Sequence, residues 1–582
     1  MWSAVRDSAE TRSRYFGTPR VWRWAAAWGV LCIAWLVRFY GLADHPPGIW
    51  FDPAYNGLDA LRLMQRGGHT LFFPTNGGRE SLFIYLLIPS IWIFGATPFA
   101  MRIVTALMGV LHVALLFGLL YNLPSLLPET APLVRHMRRL RLWLAVNGSL
   151  ALAVSYWHLT VSQRAQRPLM VPLLSVSLYW FFLKGWYTGR HRWFVLSGVT
   201  LGLGAYTYGA ARLLPVILVL AILPELARAV LRGRADDQMS HLRTRCLGLG
   251  WLVLSALLVA FPMIWYFITH PGQFSARAGS VTIWHYVHEP LQIAVEILQN
   301  VSRVLGYFCC LGGTSVSSGL PDYPGITPLL APFLAVGFLG IVWYCHDLFH
   351  RLVGLWWFIG LAPSILTIEA PHPLRMLVAI TPTAIMIALA PMYLLRWLER
   401  LHLTAKWTHW LPGFIALLAL ASLPVTWHAH FVRWAGAPDT RRANDIAALS
   451  IRDAVLTHTA AGATVYLPMS RLKDAPLLYY LGGVYDREAT LQPPPAEGEI
   501  VVIASDRAPT DTTWARIAGR RITILPPLSE VGLQRIRAAL DSASASPLRT
   551  LDGDTAAWVA PLDTDPGSFV LLPAQRVNIS FG

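Results

Sequence analysis

Ser81-Leu-Phe-Ile-Tyr-Leu-Leu-Ile-Pro-Ser-Ile-Trp-Ile-Phe-Gly95 is the stretch on which the topology turns. It is apolar throughout, yet it runs for only fifteen residues and carries Pro89 at its centre. A helix crossing the hydrocarbon core needs about 20 residues. Counted as a crossing, it would also put the basic cluster Arg135, Arg138, Arg139 and Arg141 outside, against the positive-inside rule. It is therefore read as an interfacial or re-entrant segment.

Outward from that stretch the chain is dominated by apolar runs. Of its 582 residues, 55% are apolar, 14% charged and 12% aromatic, with 25 Trp, whereas a soluble domain carries roughly 25% charged residues. A polytopic membrane protein follows. The net charge of +15 comes from arginines grouped in short connections between apolar runs, where they orient the chain in the bilayer, so no nucleic-acid partner is expected. The five cysteines form no spaced ligand set, so neither a metal nor a disulfide framework is expected, and adjacent Cys309 and Cys310 are read as free thiols.

Arg6, Arg12, Arg14, Arg20 and Arg23 precede the first apolar run, 24–40, and no small-residue cleavage site follows it. It reads as a signal anchor. Ten more runs lie near 99–122, 142–160, 168–186, 193–208, 212–230, 247–268, 327–345, 352–368, 375–395 and 408–426, which makes about eleven crossings. Basic connections around Arg190 and Arg192, Arg232 to Arg245, and Arg396 to Lys406 join the Arg135 cluster on the cytoplasmic side. The N-terminus is then cytoplasmic in a multi-pass plasma (inner) membrane protein. Residues 41–98 and 269–326 form outer loops, and the tail is extracytoplasmic.

The tail differs in composition. Helical stretches (Arg441 to His458, Ser529 to Asp541) alternate with strand-like runs at 463–467, 499–503 and 521–525, separated by turns such as Gln492-Pro-Pro-Pro495. This predicts a membrane domain over 1–430 and a small extracytoplasmic α/β domain over 431–582. It carries no readable phosphate loop, metal cluster or nucleophile motif.

The outer loop contains Gly48-Ile-Trp-Phe-Asp-Pro-Ala-Tyr-Asn-Gly-Leu-Asp-Ala-Leu-Arg62. Asp52 before Pro53 reads as a helix N-cap, with Ala54, Leu58, Leu61 and Met64 on one face and Gly67-Gly68 as the stop. A carboxylate held there at the water boundary could also do chemistry. Asp59, seven residues on and on roughly the same side, is either a second polar contact or a solvated residue. Arginines near span ends, such as Arg102 and Arg164, are read first as headgroup anchors. Tyr206 and Tyr208 fit an aromatic belt or a sugar- or phosphate-lining role. His372 is read as a hydrogen-bonded turn residue, and Asn300-Val-Ser302 as a chance match to a glycosylation acceptor.

Trp50 to Ala60, Gly77 to Tyr85, Ser162 to Arg167, Tyr206 to Arg212 and Glu369 to Arg375 together resemble the integral-membrane GT-C glycosyltransferases. The chain is most similar there to glycosyltransferase family 39-like bacterial relatives of the protein O-mannosyltransferases and of the aminoarabinose transferase. That resemblance implies a GT-C-like α-helical polytopic fold of about eleven transmembrane helices with a C-terminal extracytoplasmic α/β domain. The family usually has two acidic residues in the first outer loop; here the second position is Pro53.

The resemblance also implies the chemistry. A sugar on a polyprenyl-phosphate donor passes to an acceptor hydroxyl of a protein, lipid or glycan, with Asp52 accepting the hydroxyl proton as general base. The departing phosphate needs cations, and arginine's planar fork suits it. Arg79, Arg167, Arg212 and Arg375 are the candidates, with Asp59, Glu80, Tyr206, Tyr208, Glu369 and His372 as further substrate contacts. No metal or cofactor is implied. Two alternatives stay open: a transporter or lipid flippase without covalent chemistry, and a silent relative that binds lipid-linked sugar.

Overall fold

The computed structural model describes residues 20–231, 236–279, 281–402, 408, 410–460, 464–467, 475–482, 500–503, 522–525, 546–549, 555–560 and 575–576. The stretches Ser529 to Asp541 and Gln492 to Pro495 lie outside the described residues. The first elements in chain order are α1 (Arg20–Phe39), α2 (Phe51–Arg66), a hairpin of β1 (Phe72–Phe73) and β2 (Arg79–Glu80), α3 (Leu82–Phe94), α4 (Pro98–Leu126), α5 (Arg141–Ala153) and α6 (Tyr156–Gln163). The chain forms two compact units: residues 1–42, 69–86 and 102–436 make the first, and 43–68, 87–101 and 437–582 the second.

Apart from the β1–β2 hairpin, the regular structure of the first unit's described residues is helical. Six helices wholly within it are long and apolar enough to cross a membrane: Arg167–Thr188, Gly209–Arg228, Leu242–Thr269, Leu348–Ile365, Leu377–Arg400 and Leu411–Trp434. α4, which begins in the second unit and continues through the first, makes seven among the described residues. The run read as one crossing at 142–160 is a broken span, in which α5 and α6 meet at 57°. Three other expected crossings differ. His191–Gly204 and Ala331–Trp343 are helices of 14 and 13 residues, about 20 Å long and so short of the hydrocarbon thickness. α1 has 20 residues, but its tryptophans, Arg23 and Arg38 dilute its apolar character. α3, the stretch that decided the topology, is a helix of 13 residues with Pro89 inside it, too short to cross as a straight span.

Close approach in this unit depends on particular small residues. A Cβ on Gly109 of α4 would lie 2.8 Å from both the Arg38 Nε and the Ser162 Cβ, so glycine is what lets α4 meet α1 and α6. Leu377–Arg400 is the most enclosed span, with 94% of its apolar window buried. Helix Pro290–Gly306 buries Asn300, whose amide donates to Ile365 O and Thr367 O at 3.1 Å each. A side chain so held is not a glycosylation acceptor. The turn that ends this helix sends the N–H groups of Cys309, Cys310 and Leu311 all to Gly306 O. This brings the two sulfurs together, and the cysteines expected as free thiols are joined by a disulfide.

The second unit contains α2 and the tail. β3 (Thr464–Leu467), β4 (Ile500–Ile503), β5 (Ile522–Leu525), β6 (Ser546–Arg549), β7 (Thr555–Ala560) and β8 (Gln575–Arg576) form one sheet in the order β6-β7-β5-β4-β3-β8. The central pairs β3–β4 and β4–β5 are parallel, and the outer pairs are antiparallel. The strand-like runs read at 463–467, 499–503 and 521–525 fall on β3, β4 and β5. The stretch from Arg441 to His458 is covered by helices Pro438–Ala443 and Ile446–Ala460. A Cβ on Gly57 of α2 would lie 2.5 Å from the Tyr479 ring, so α2 docks closely on helix Ala475–Tyr480.

Candidate active site

The β1–β2 hairpin sets the first cluster. Asn76, Gly77 and Gly78 have φ of 53°, 73° and 88°, a left-handed run that glycine adopts without steric cost, and the chain reverses so that Phe72 pairs with Glu80 and Phe73 with Arg79. Successive strand residues point to opposite faces, so Arg79 and Glu80 part company. Arg79 is 1% exposed; it donates to Thr75 O at 3.3 Å and Thr75 Oγ1 at 2.7 Å and lies over the Phe73 ring. Glu80 takes Arg167 Nη1 at 2.7 Å, with side-chain exposures of 8% and 6%.

Arg167 also donates to Gly78 O at 3.3 Å and sits 5.3 Å over the Tyr208 ring. Its guanidinium is thus held by charge, by hydrogen bonding and by the ring's negative face. Arg212 lies within electrostatic reach of Glu80. It stacks 4.0 Å from the Phe274 ring and 5.3 Å from Phe267 and donates to Phe274 O at 2.7 Å. Tyr206 joins helices instead. Its hydroxyl donates to Val259 O at 2.8 Å and its carbonyl accepts from Leu82 N at 3.0 Å, tying the start of α3 to two helices. The structure therefore brings Glu80, Arg167 and Tyr208 together around the hairpin, with Arg212 close enough to feel the Glu80 charge.

A second cluster is the turn from Glu369 to Arg375. Glu369 has φ +63°, a strained position for a side-chain-bearing residue and one often tied to function. Arg375 donates to Ile368 O at 2.7 Å and Thr367 Oγ1 at 2.9 Å, and its other nitrogen lies 3.4 Å from Glu369 Oε2. The Glu369 side chain is 58% exposed. His372 takes Ser364 Oγ on its backbone N–H at 2.8 Å, and its carbonyl accepts from Arg375 N, the turn role expected of it.

Asp52 and Asp59 lie on α2 in the second unit. The helix starts two residues earlier than its Asp-Pro pair suggests: Trp50 is the N-cap, with no side-chain cap bond. Asp52 is therefore not the cap but lies in the first turn, where its charge complements the helix dipole. Pro53 fits the third helical position because the first four N–H groups have no intrahelical acceptor. Gly67 stops the helix with φ +67°. Ala54, Leu58 and Leu61 are buried as expected, but Met64 is exposed. Asp59 is not solvated: it is 3% exposed and accepts from Arg62 Nη1 at 2.8 Å.

Arg102 and Arg164 are not headgroup anchors. They are 3% and 5% exposed, Arg102 donating to Leu42 O at 3.2 Å and Arg164 lying 5.4 Å over Trp434. The sequence reading also passed over Arg38, His112, His158 and His430, each fully buried. The signal that would have found them is their type: an ionisable residue inside an apolar run is a functional candidate by default.

Neither protein-family models nor curated proteins give a match to the sequence. Among solved structures, ArnT from Cupriavidus metallidurans in its apo state is similar over 92% of this chain and 97% of that one, at 12% identity and a TM-score of 0.50. The same protein bound to undecaprenyl phosphate gives 12% identity, 92% and 98% coverage and 0.49. The apo oligosaccharyltransferase of Archaeoglobus fulgidus gives 16% identity, 83% and 62% coverage and 0.46. The chain therefore has the fold of ArnT.

Proposed function

We propose that the protein transfers a sugar from a polyprenyl-phosphate donor to an acceptor hydroxyl on the outer face of the membrane. The observation that carries this reading is the buried Glu80–Arg167 pair, with Arg212 within electrostatic reach of Glu80, in a chain of this fold. Arg167 is already neutralised and acts as scaffold. Arg212, stacked on Phe274 with Phe267 nearby, and Arg375, at the outer turn, keep the cationic role toward the leaving phosphate. That ArnT is seen with undecaprenyl phosphate supports a lipid of this class as the carrier. Asp52, at the first turn of a docked helix, is the general base. Asp59, Arg79, Glu80, Tyr206, Tyr208, Glu369 and His372 line or support the donor and acceptor sites, and the C-terminal α/β unit lies on the outer side.

The test is to incubate the purified full-length protein with a panel of polyprenyl-phosphate sugars and follow release of free polyprenyl phosphate. Release with at least one donor supports transfer. Binding of a donor without release would favour a silent relative, a reading that Pro53 in place of the second carboxylate also supports. Neither binding nor release with any donor would overturn the proposal.

A further inference from the structure

Where α5 breaks into α6, the last carbonyls of α5 lose their helical partners. Ser155 caps the new helix, accepting from His158 N at 3.3 Å. The lost carbonyls are served from a different helix. Arg38, on α1 and with no exposed surface, donates to Ala153 O at 3.1 Å and Leu152 O at 3.5 Å, and to Ala34 O of its own helix at 3.0 Å. Its second terminal nitrogen also meets His158 Nδ1 at 2.5 Å. One guanidinium thus holds the final turn of α5 and the first turn of α6.

The hydrogen-bond direction follows from chemistry. Arginine can only donate, so His158 Nδ1 accepts and its proton is on Nε2. That proton is donated to His112 Nδ1 at 3.0 Å, and His112 Nε2–H then donates to Thr381 Oγ1 at 2.9 Å. The far end of α6 is held in return: Gln163 Nε2 donates to the carbonyls of Val37, Arg38 and Tyr40 at 3.1–3.2 Å. Its Oε1 accepts from His430 Nε2 at 2.7 Å, within the π-helical turn His428–Trp434.

We propose that Arg38 is a positioning residue, whose guanidinium sets the bend between α5 and α6 and thereby the place of Arg167, four residues beyond Gln163. This rests on the reading of the Glu80–Arg167 cluster as part of the donor site. The lever is large enough to matter: eight helical residues span about 12 Å, so a 10° change of bend moves the far end by about 2 Å. Misplacement of about 1 Å near a reacting centre can cost about a hundredfold. A buried cation is also a costly way to join two helices if packing were the only purpose, since apolar residues of similar volume often serve stability as well.

The experiment measures two quantities on the purified full-length protein: amide hydrogen exchange over residues 152–167 and the Kd for undecaprenyl phosphate. Arg38→Met and His158→Leu should speed exchange in α6 and raise Kd about tenfold or more. His158→Gln, which keeps one acceptor and one donor, should restore both, and Arg38→Lys should fall between. Thr381→Val, at the far end of the chain of bonds, should show the same change more weakly and serves if Arg38→Met fails to insert. Unchanged exchange in Arg38→Met overturns the inference, whether or not Kd rises. If the parent protein binds no undecaprenyl phosphate, the donor reading falls, and the exchange data alone decide the role of Arg38.

Discussion

Arg167 donates to Glu80 across 2.7 Å although 87 residues separate them, and both side chains are more than nine-tenths buried. A pair so enclosed is expensive to half-remove, because the remaining charge has neither water nor partner. Glu80→Gln or Arg167→Met alone should destabilise the protein by about 3–5 kcal/mol. The double variant should recover a large part of that loss. Thermal unfolding of the four proteins in one detergent checks it; additive losses would mean that the two side chains act independently.

Arg375 and Arg102 separate donor recognition from support. Arg375→Ala removes a cation at a partly exposed turn, and a charge-assisted contact is worth roughly 1.5–3 kcal/mol, or about a tenfold to hundredfold weakening of donor use. Arg102 is buried against Leu42 O, so Arg102→Ala should lower thermal stability and leave the donor KM nearly unchanged. Donor titrations on both variants decide between these roles. Arg79→Ala should do both, since Arg79 closes the hairpin onto Thr75.

Much of this was legible in the residues and some was not, for identifiable reasons. Gly77-Gly78 before Arg79-Glu80 announces a reversal, since only glycine takes those φ values cheaply. The α2 stop at Gly67 was legible for the same reason. The start of α2 was not, because proline is tolerated anywhere in the first turn, where no N–H has an intrahelical acceptor. The break at 153–156 was hidden by continuous hydrophobicity: Val154-Ser155 reads as span, and the arginine that makes the break tolerable lies 115 residues away. Burial of Asp59 was hidden too, since it depends on what docks against α2.

Two glycines give a contrast in packing. Gly109→Ala would press a methyl group against Arg38 and Ser162 at 2.8 Å, and such overpacking typically costs about 1–3 kcal/mol. Gly250, in helix Asp236–Thr269, has nothing within 4 Å of its added Cβ, so Gly250→Ala should gain roughly 0.5–1 kcal/mol from helix propensity. Melting temperatures of the two variants should move in opposite directions.

Membrane orientation is tested with reporters. Fusions after Gly68 and after Gly582 should both be accessible from outside, and one near Arg138 should be protected. Helix α3 has only 13 residues, so it should not reverse the chain's side. An externally labelled reporter at Arg138 would mean that α3, bent at Pro89, does cross.

Asp52 is the proposed general base, and its place in α2 sharpens the test. As it does not cap the helix, Asp52→Asn removes only a charge from the first turn, worth about 0.3–1 kcal/mol. The protein should therefore fold and bind donor normally. An amide cannot take the acceptor's proton, and a general base contributes about 10²- to 10⁴-fold, so turnover should fall by at least that lower factor. Asp59→Asn provides the comparison: this buried carboxylate pairs with a half-exposed Arg62, so its loss should cost roughly 1–3 kcal/mol of stability while kcat per folded molecule holds. If kcat instead falls as steeply as in Asp52→Asn with the fold intact, Asp59 is the second carboxylate that Pro53 displaced. An Asp52→Asn protein turning over at the parent rate would remove the base assignment, leaving Asp52 as a charge that only steadies the start of its helix.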